Sequence, residues 1–589
     1  MSPTNSKNFD SLRSLLAELQ VRKQIIEINA PVDPNLELAE IHRRVVAAGG
    51  PALLFKNVVG SPFSLVTNLF GTTERVNLAF GNELKDTIAK LAAFPHSMLP
   101  PALSKVWAER NTLSKLFKVG TSVTSESPAT EVIETPANLA ALPFTKSWPA
   151  DGGFFLTLPL VYTEDPETKI SNLGMYRMQR FDAASTGMHF QIGKGGGYHL
   201  FRAKELGKKL ACNVFLGGPP ALILSAIAPL PENVPELLLA SLVQGKKLKI
   251  SRNSDTLLFP ATAECVLCGS IDPRESKPEG PFGDHYGYYS LEHDFPVFRV
   301  DKVLRRRDAI FPATVVGKPR QEDFYIGNYL QEALSPLFPL VMPGVKSLWS
   351  FGETGFHSLS AAQVRERYRK EALSSAFRIL GEGQLSLTKF LLLTDQTVNL
   401  RSIRAVLEVI LERYDPAVDL HVFQHTSMDT LDYTGRKLNE GSKGVLIGVG
   451  NPIRTLPRVV KSSPPNYLRE ATMFCAGCIV VSGESFTAKR NLPEKIAAEP
   501  YFTEWPLVVL VDDVARTVQS DQDFLWTVFT RFDPGHDLFL QNQHAERFHV
   551  GGNCPLVIDA RMKPSYPAEL VVDDQTDSLV TKRWGEYFK

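Results

Sequence analysis

The sequence predicts a mixed α/β (α+β) chain of several domains, and three observations lead there. Helical spacing at residues 9–20 and from Asp33 to Val46 is followed by short apolar runs at Ala52–Phe55 and Ser64–Asn68 that read as strands. Strand signals then dominate from Phe155 to about Leu304. Beyond that, strands and helices alternate again, and one such unit recurs. The 589 residues correspond to about four domain-sized units.

The first helix places Leu12, Leu15, Leu16 and Leu19 on one face. In the second, Asp33 reads as N-cap and Pro34 as first helical residue, Leu38, Ile41, Val45 and Val46 form the apolar stripe, and Gly49-Gly50 end it. Residues 122–136 are rich in Ser, Thr, Pro and Glu, which predicts an exposed connection. The strand-rich region reads as strands 155–162, 210–215, 263–271 and 297–304, with helices at 199–208 and 234–243. A helix at 323–334, a long amphipathic helix at 360–380, a strand at 389–393 and a helix at 402–413 follow. The segment Phe390–Asp395, a helix and Arg413-Tyr-Asp-Pro416 then recur as Val508–Asp513, a helix and Arg531-Phe-Asp-Pro534, at a constant offset of 118, with Asp419 and Asp537 in register. This predicts a duplicated module; the alternative is two unrelated units with shared turn chemistry. A final helix, Asp577–Tyr587, suits packing across an interface between copies of the chain.

Composition excludes several classes. Hydrophobic residues make up 43% and charged residues 22%, and 64 basic side chains balance 64 acidic ones. Such a chain has no net field for nucleic acid or an anionic membrane. Its first residues lack the pattern of a signal peptide, and no apolar run approaches the roughly 18 residues of a membrane span, so a cytoplasmic protein is expected. Cys265-x-x-Cys268 and Cys475-x-x-Cys478 invite a metal or redox reading, but the pairs are too far apart for a zinc ribbon. Buried reduced thiols are the plainer expectation for both, with a redox pair at Cys475 and Cys478 as the alternative.

The stretch Lys277-Pro-Glu-Gly-Pro-Phe-Gly-Asp-His-Tyr-Gly-Tyr-Tyr289 combines two prolines with three glycines, and so reads as a stiff turn rather than a helix or strand. It carries Glu279 and Asp284 beside His285. Two such carboxyls form a candidate proton shuttle, because a desolvated or like-charged acid keeps its proton near neutrality. A solvated acid in a Gly/Pro turn is the alternative.

Together with Asn172-Leu-Gly-Met-Tyr-Arg177, Pro260-Ala-Thr-Ala-Glu264 and Asp294-Phe-Pro-Val-Phe298, this stretch resembles the UbiD family of decarboxylases, in order, from about residue 10 to 450. The resemblance implies an N-terminal α/β domain (1–121), a central flavin-binding split β-barrel (122–320) and a C-terminal α/β domain (321–460). It leaves 461–589 as the additional module, with its C-terminal helix. It implies prenylated FMN, a Mn2+-like cation held by Asn172, His199 and Glu236, and a K+ ion near Ser225, Ala226 and Glu236. His189 is the competing ligand to His199. Flavin contacts are expected from Asn172, Met175, Tyr176, Arg177, Tyr198, His199, Glu236 and Lys443, and the glycines of 193–197 could approach its phosphate. Arg177, Glu279 and Asp284 take the family's catalytic places, with Arg177 holding Glu279 and the substrate carboxylate and Asp284 protonating the ring carbon.

The implied reaction is non-oxidative decarboxylation of an aromatic acid, a 4-hydroxy-3-polyprenylbenzoate or hydroxynaphthoate in ubiquinone or menaquinone synthesis. A reversible decarboxylase of another phenolic or heteroaromatic acid and a non-catalytic assembly subunit are the alternatives. The implied partners are a flavin prenyltransferase as cofactor supplier and further copies of the chain.

Overall fold

A computed structural model describes residues 8–81, 83–97, 119–191, 195–230, 234–253, 256–318, 320–460 and 462–589. The chain forms two compact units, residues 1–333 with 568–589, and residues 334–567.

In the first unit, the helix Leu12–Val21 opens on a capping box between Ser11 and Ser14 and buries Leu12, Leu15, Leu16 and Leu19. The second helix runs Glu37–Ala47, later than the sequence predicts. Asp33 does not cap it, because its Oδ1 accepts from Asn35 in a local turn and Leu36 takes φ 70°. Strands Ile25–Ile28, Ala52–Phe55, Ser64–Thr67 and Ile310–Pro312 lie side by side in that order as a four-stranded sheet. The stretch read as an exposed connection is exposed or half-buried apart from Ala129, but it also contributes two short strands, Thr121–Val123 and Val132–Glu134.

The central sheet has the order Ser185–Gly187, His293–Arg305, Ala263–Glu279, Leu210–Gly217, Leu160–Glu164 and Ser171–Met175, with Val132–Glu134 added beside His293–Arg305. Its core is apolar, built on Leu156, Val161, Val214, Leu267, Ile271 and Phe298. Cys265 lies in this core, where burial pushes its thiol pKa up. The strand Ala263–Glu279 is longer than predicted and pairs with His293–Arg305 as far as Glu279 opposite His293. Lys277–Glu279 are therefore strand, and the turn between these two strands is the Gly/Pro segment. Phe282–Gly283 and Tyr289–Ser290 pair across it as a small hairpin.

The second unit contains two five-stranded sheets. One has the order Val345–Ser350, Leu359–Val364, Phe390–Thr394, Glu440–Gly448, Leu420–Ser427; the other Glu470–Cys475, Cys478–Ser482, Leu507–Val511, His549–Asp559, Leu538–Glu546. In each, the pairings run antiparallel, parallel, parallel, antiparallel. The turn chemistry repeats as well. Asp419 Oδ2 accepts from the Asp415 amide at 3.0 Å, and Asp537 Oδ2 accepts from that of Asp533 at 2.7 Å. The two halves share one core, in which Val406, Ile410 and Phe390 meet Phe474, Phe524 and Phe529.

One helical reading fails and one helix is placed elsewhere. Residues 360–380 divide into the strand Leu359–Val364 and the helix Glu371–Leu380, because Leu359-Ser-Ala-Ala-Gln-Val364 satisfies alternation as well as helical spacing. The final helix, Asp574–Tyr587, does not stay with the last module. It lies in the first unit against the helix Glu37–Ala47, with Val580 and Tyr587 in a core shared with Ile28, Leu38 and Ile41.

Candidate active site

Strand register brings the predicted acids to one arginine. Arg177 follows the strand Ser171–Met175, and Glu279 ends the strand Ala263–Glu279. Arg177 Nε donates to Glu279 Oε1 at 3.0 Å, Nη1 to Asp284 Oδ2 at 2.5 Å and Nη2 to Ser290 Oγ at 3.0 Å. The guanidinium also lies 4.6 Å from the centre of the Phe282 ring. Arg177, Glu279 and Asp284 are all buried. His189, read from sequence as a competing metal ligand, belongs here instead. Its Nδ1 donates to Glu279 Oε2 at 2.7 Å, and its Nε2 is buried with no partner among the described residues.

The electrostatics correct one expectation. Burial by itself would raise the pKa of Glu279, but Arg177 and His189 outweigh it and leave the group below its ordinary value. Asp284 behaves alike: burial opposes ionisation, yet its bonds to His285 and the charge of Arg177 hold it well below the carboxylate range. Both acids are ionised at neutral pH, not protonated as the sequence reading supposed. Burial also lowers the His189 pKa, aided by Arg177, so that imidazole is neutral. Asp323, on the helix Glu322–Leu334, faces Asp284 and His285, and burial pushes its pKa up to about 6.

The segment Gly280–Ser290 is fixed from outside by residues that the sequence did not single out. Gly283 N–H donates to Asp151 Oδ1 at 2.7 Å, while the other Asp151 oxygen accepts from Ser147 and Trp148. Burial nonetheless raises the Asp151 pKa to about 6. Gly280 N–H donates to Gln179 Oε1 at 2.8 Å, and Gly152 N–H to Pro281 O at 2.8 Å. A Cβ on Gly152 would lie 1.9 Å from Gly280 O, so only glycine permits that approach. The Asp151-Gly152-Gly153 triplet was the available signal.

A second cluster gathers the predicted cation ligands. Asn172 stands opposite Thr163 in neighbouring strands, and Thr163 Oγ1 bonds His199 Nδ1 at 2.9 Å. Glu236 opens the helix Glu236–Gln244 and its Oε2 accepts from Leu173 N–H at 2.8 Å. Asn172 Nδ2 is buried with no partner among the described residues, and a Cβ on Gly195 would lie 2.1 Å from Asn172 Oδ1, so the helix Gly195–Glu205 closes tightly over the amide. Burial lowers the His199 pKa and keeps the ring neutral, as a ligand must be. With Nδ1 committed to Thr163, Nε2 is the ring nitrogen that a cation would have to use. The donor set of amide, imidazole and carboxylate fits an octahedral divalent cation.

The other assigned residues divide. Tyr176 is buried against Phe190, ring centres 5.0 Å apart, with its hydroxyl toward Asn172 and Gly196. Met175 ends its strand half-buried, and Tyr198 is exposed on the helix Gly195–Glu205. Ser225 is buried and donates to Ala221 O. Gly193 and Lys194, within the glycine run, lie outside the described residues. Lys443 belongs to the second unit, where its Nζ donates to Thr388 O at 3.0 Å and burial lowers its pKa to about 8.

Comparison with known proteins accounts for most of the chain. Residues 16–94, 121–319 and 324–448 match the N-terminal, Rift-related and C-terminal domains of the 3-octaprenyl-4-hydroxybenzoate carboxy-lyase (UbiD) family. The chain belongs to the UbiD family. It is a carboxy-lyase of that type. A Chlamydia pneumoniae protein described as one of the subunits of a 4-hydroxybenzoate decarboxylase is 51% identical over 580 residues, 98% of each chain. An Archaeoglobus fulgidus protein is 35% identical over 432 residues, covering 72% of this chain and 89% of its own. Among solved structures, the closed vanillic acid decarboxylase of Sedimentibacter hydroxybenzoicus superposes with a TM-score of 0.66 at 24% identity, over 78% of this chain and 96% of that one. The UbiD-class enzyme HmfF of Pelotomaculum thermopropionicum, in complex with FMN, gives 0.62 at 23%, over 75% and 94%. The matched family domains end at residue 448, so the second five-stranded sheet lies beyond them and within the length shared with the Chlamydia relative.

Proposed function

We propose that the chain decarboxylates a phenolic aromatic acid non-oxidatively with prenylated FMN, the cofactor held partly through a Mn2+-like cation on Asn172, His199 and Glu236. The observation that carries this reading is the buried Arg177 shared between Glu279 and Asp284. The cofactor supplies, when bound, the electron sink that no side chain offers.

The residues do the rest. Arg177 takes the substrate carboxylate in its planar fork, in competition with its own acids. That third negative charge, and the share of Arg177 it removes, both raise the proton affinity of Asp284. Asp284 then takes a proton from solvent and delivers it to the ring carbon as carbon dioxide leaves. Glu279, held between Arg177 and His189, keeps the arginine oriented. The cation set is proposed to anchor the cofactor phosphate.

The names of relatives point to benzoates with a para hydroxyl, and the polyprenylated hydroxybenzoate or hydroxynaphthoate of quinone synthesis remains in the same class. The C. pneumoniae relative's description as part of a multi-chain decarboxylase supports an assembly with other chains. The test is co-expression with a flavin prenyltransferase, accurate mass and absorbance of the released cofactor, and carbon dioxide release from 4-hydroxybenzoate, vanillate, 3,4-dihydroxybenzoate and a prenylated hydroxybenzoate. Loaded protein that turns over none of the four removes the substrate reading; absence of prenylated FMN, with HmfF loading alongside, removes the cofactor.

A further inference from the structure

The segment Gly280–Ser290 has a further external support, and it comes from the far end of the chain. After residue 567 the polypeptide returns to the first unit, and Ala568–Leu570 lie antiparallel to Gly287–Tyr289. Tyr289 N–H donates to Ala568 O at 3.1 Å, and Leu570 N–H to Gly287 O at 3.0 Å. Inside the turn, Asp284 N–H donates to Tyr288 O at 3.1 Å and Gly287 N–H to Asp284 O at 2.9 Å. The residues that the tail grips are therefore those that close the turn bearing Asp284. Gly287 stands at φ +85°, a conformation that other residues seldom hold, so the shape of the turn depends on glycine there.

The tail is anchored independently of this contact. Only two residues separate Leu570 from Asp573, the N-cap of the helix Asp574–Tyr587. That helix buries Val580 and Tyr587 against the helix Glu37–Ala47. Tyr587 Oη donates to Glu37 Oε1 at 2.6 Å, Arg583 pairs with Glu37, and Arg44 Nη2 donates to Asp577 Oδ1 at 2.8 Å. A docked helix two residues away holds Ala568–Leu570 at high effective concentration beside the turn. The Trp148 ring crowds Gly317, beside which Leu570 also lies, and the same ring stands where a side chain at Gly283 would be.

We propose that residues 568–589 are a positioning element of the reaction, which sets the place of Asp284 through backbone pairing with Gly287 and Tyr289. The importance of Asp284 rests on the function proposed above; the pairing does not. Leu570→Pro removes the donor to Gly287, whereas Leu570→Ala keeps it and loses only side-chain packing. Amide hydrogen exchange at Asp284 and Gly287, whose acceptors lie inside the turn, reads its order directly. In Leu570→Pro, exchange at both amides rises about tenfold or more, and kcat falls roughly 10²-fold with KM nearly unchanged. Leu570→Ala stays close to wild type in both. Should Leu570→Pro fail to fold, Arg583→Ala with Tyr587→Phe loosens the anchor while leaving residues 568–570 intact, with the same exchange expected. Wild-type protection at Asp284 and Gly287 in a variant whose tail amides exchange freely overturns the proposal, as does an equal loss in Leu570→Ala. Faster exchange in a protein that turns over no acid leaves the positioning standing and removes the assigned reaction.

Discussion

His189 Nδ1 and Glu279 Oε2 lie 2.7 Å apart, both side chains buried, and the second Glu279 oxygen takes Arg177 at 3.0 Å. Glu279 is thus ionised between a neutral donor and a charged one. Replacing His189 by Phe keeps the ring's contact with Phe295 but leaves a buried carboxylate oxygen without its donor. The expected outcome is a kcat lower by about 10²-fold, with cation content unchanged, because His189 is not in the Asn172 cluster. Steady-state kinetics beside elemental analysis checks both halves; loss of the cation would return His189 to the ligand set.

The cation cluster makes its own prediction through Thr163. Thr163 Oγ1 fixes His199 Nδ1 at 2.9 Å. Thr163→Val keeps the shape and removes the hydroxyl, so the ring loses its orientation while all three proposed ligands remain. Affinity for Mn2+ falls about 10–100-fold, measured by calorimetric titration of cofactor-free protein, and the secondary structure stays as it was.

Much of this site was legible because its signals are local. Gly280, Pro281, Gly283 and Gly287 announce a turn by their own backbone preferences, and Arg177 beside Asn172 fell in a recognisable run. What was missed depends on contacts across long separations. Asp151 reaches Gly283 over 132 residues, and Ala568–Leu570 reach Gly287–Tyr289 over some 280, with no local pattern to mark either. Protonation was misread for a related reason: sequence shows two acids near each other, whereas Arg177 between them, with His189 on Glu279 and His285 on Asp284, decides their charge. The strand at 359–364 was lost to a helix because six residues fit both periods.

The buried His42 gives the fold an acid limit. It is fully buried beside Arg43 and Arg75, with Glu322 Oε2 4.0 Å away, and burial first, then the two arginines, lowers its pKa from 6.5 to about 3. The folded state therefore binds fewer protons than the unfolded one between those values. Its stabilising contribution is complete above pH 6.5 and is lost as pH falls toward 3. At about 1.4 kcal/mol per pH unit, His42→Leu should flatten the stability profile across that window by roughly 3–5 kcal/mol. Urea unfolding at pH 7, 6, 5 and 4 measures it; parallel profiles for variant and wild type would exclude His42 as the source.

The second five-stranded sheet, matching the first in strand order and pairing, predicts what its counterpart in the matched family domain can lose. Lys389 precedes the strand Phe390–Thr394, and the 118-residue offset places Leu507 at the same position of the second sheet. Register puts Leu556 where the first sheet has Lys443. Leu507 and Leu556 are buried, so the fold accepts leucine at both places without any ion pair. In the first sheet, by contrast, Lys389 Nζ lies 2.8 Å from Asp432 Oδ2 with both side chains buried. Lys389→Leu alone strands Asp432 and should cost about 3–5 kcal/mol. Lys389→Leu with Asp432→Leu removes the stranded carboxylate and should recover most of that loss, since apolar replacement of a buried pair is often neutral. Thermal unfolding of the two variants checks the order. A double variant as unstable as the single one would mean that Asp432 is held chiefly by its bonds to Thr434, whose amide and hydroxyl both donate to Oδ1.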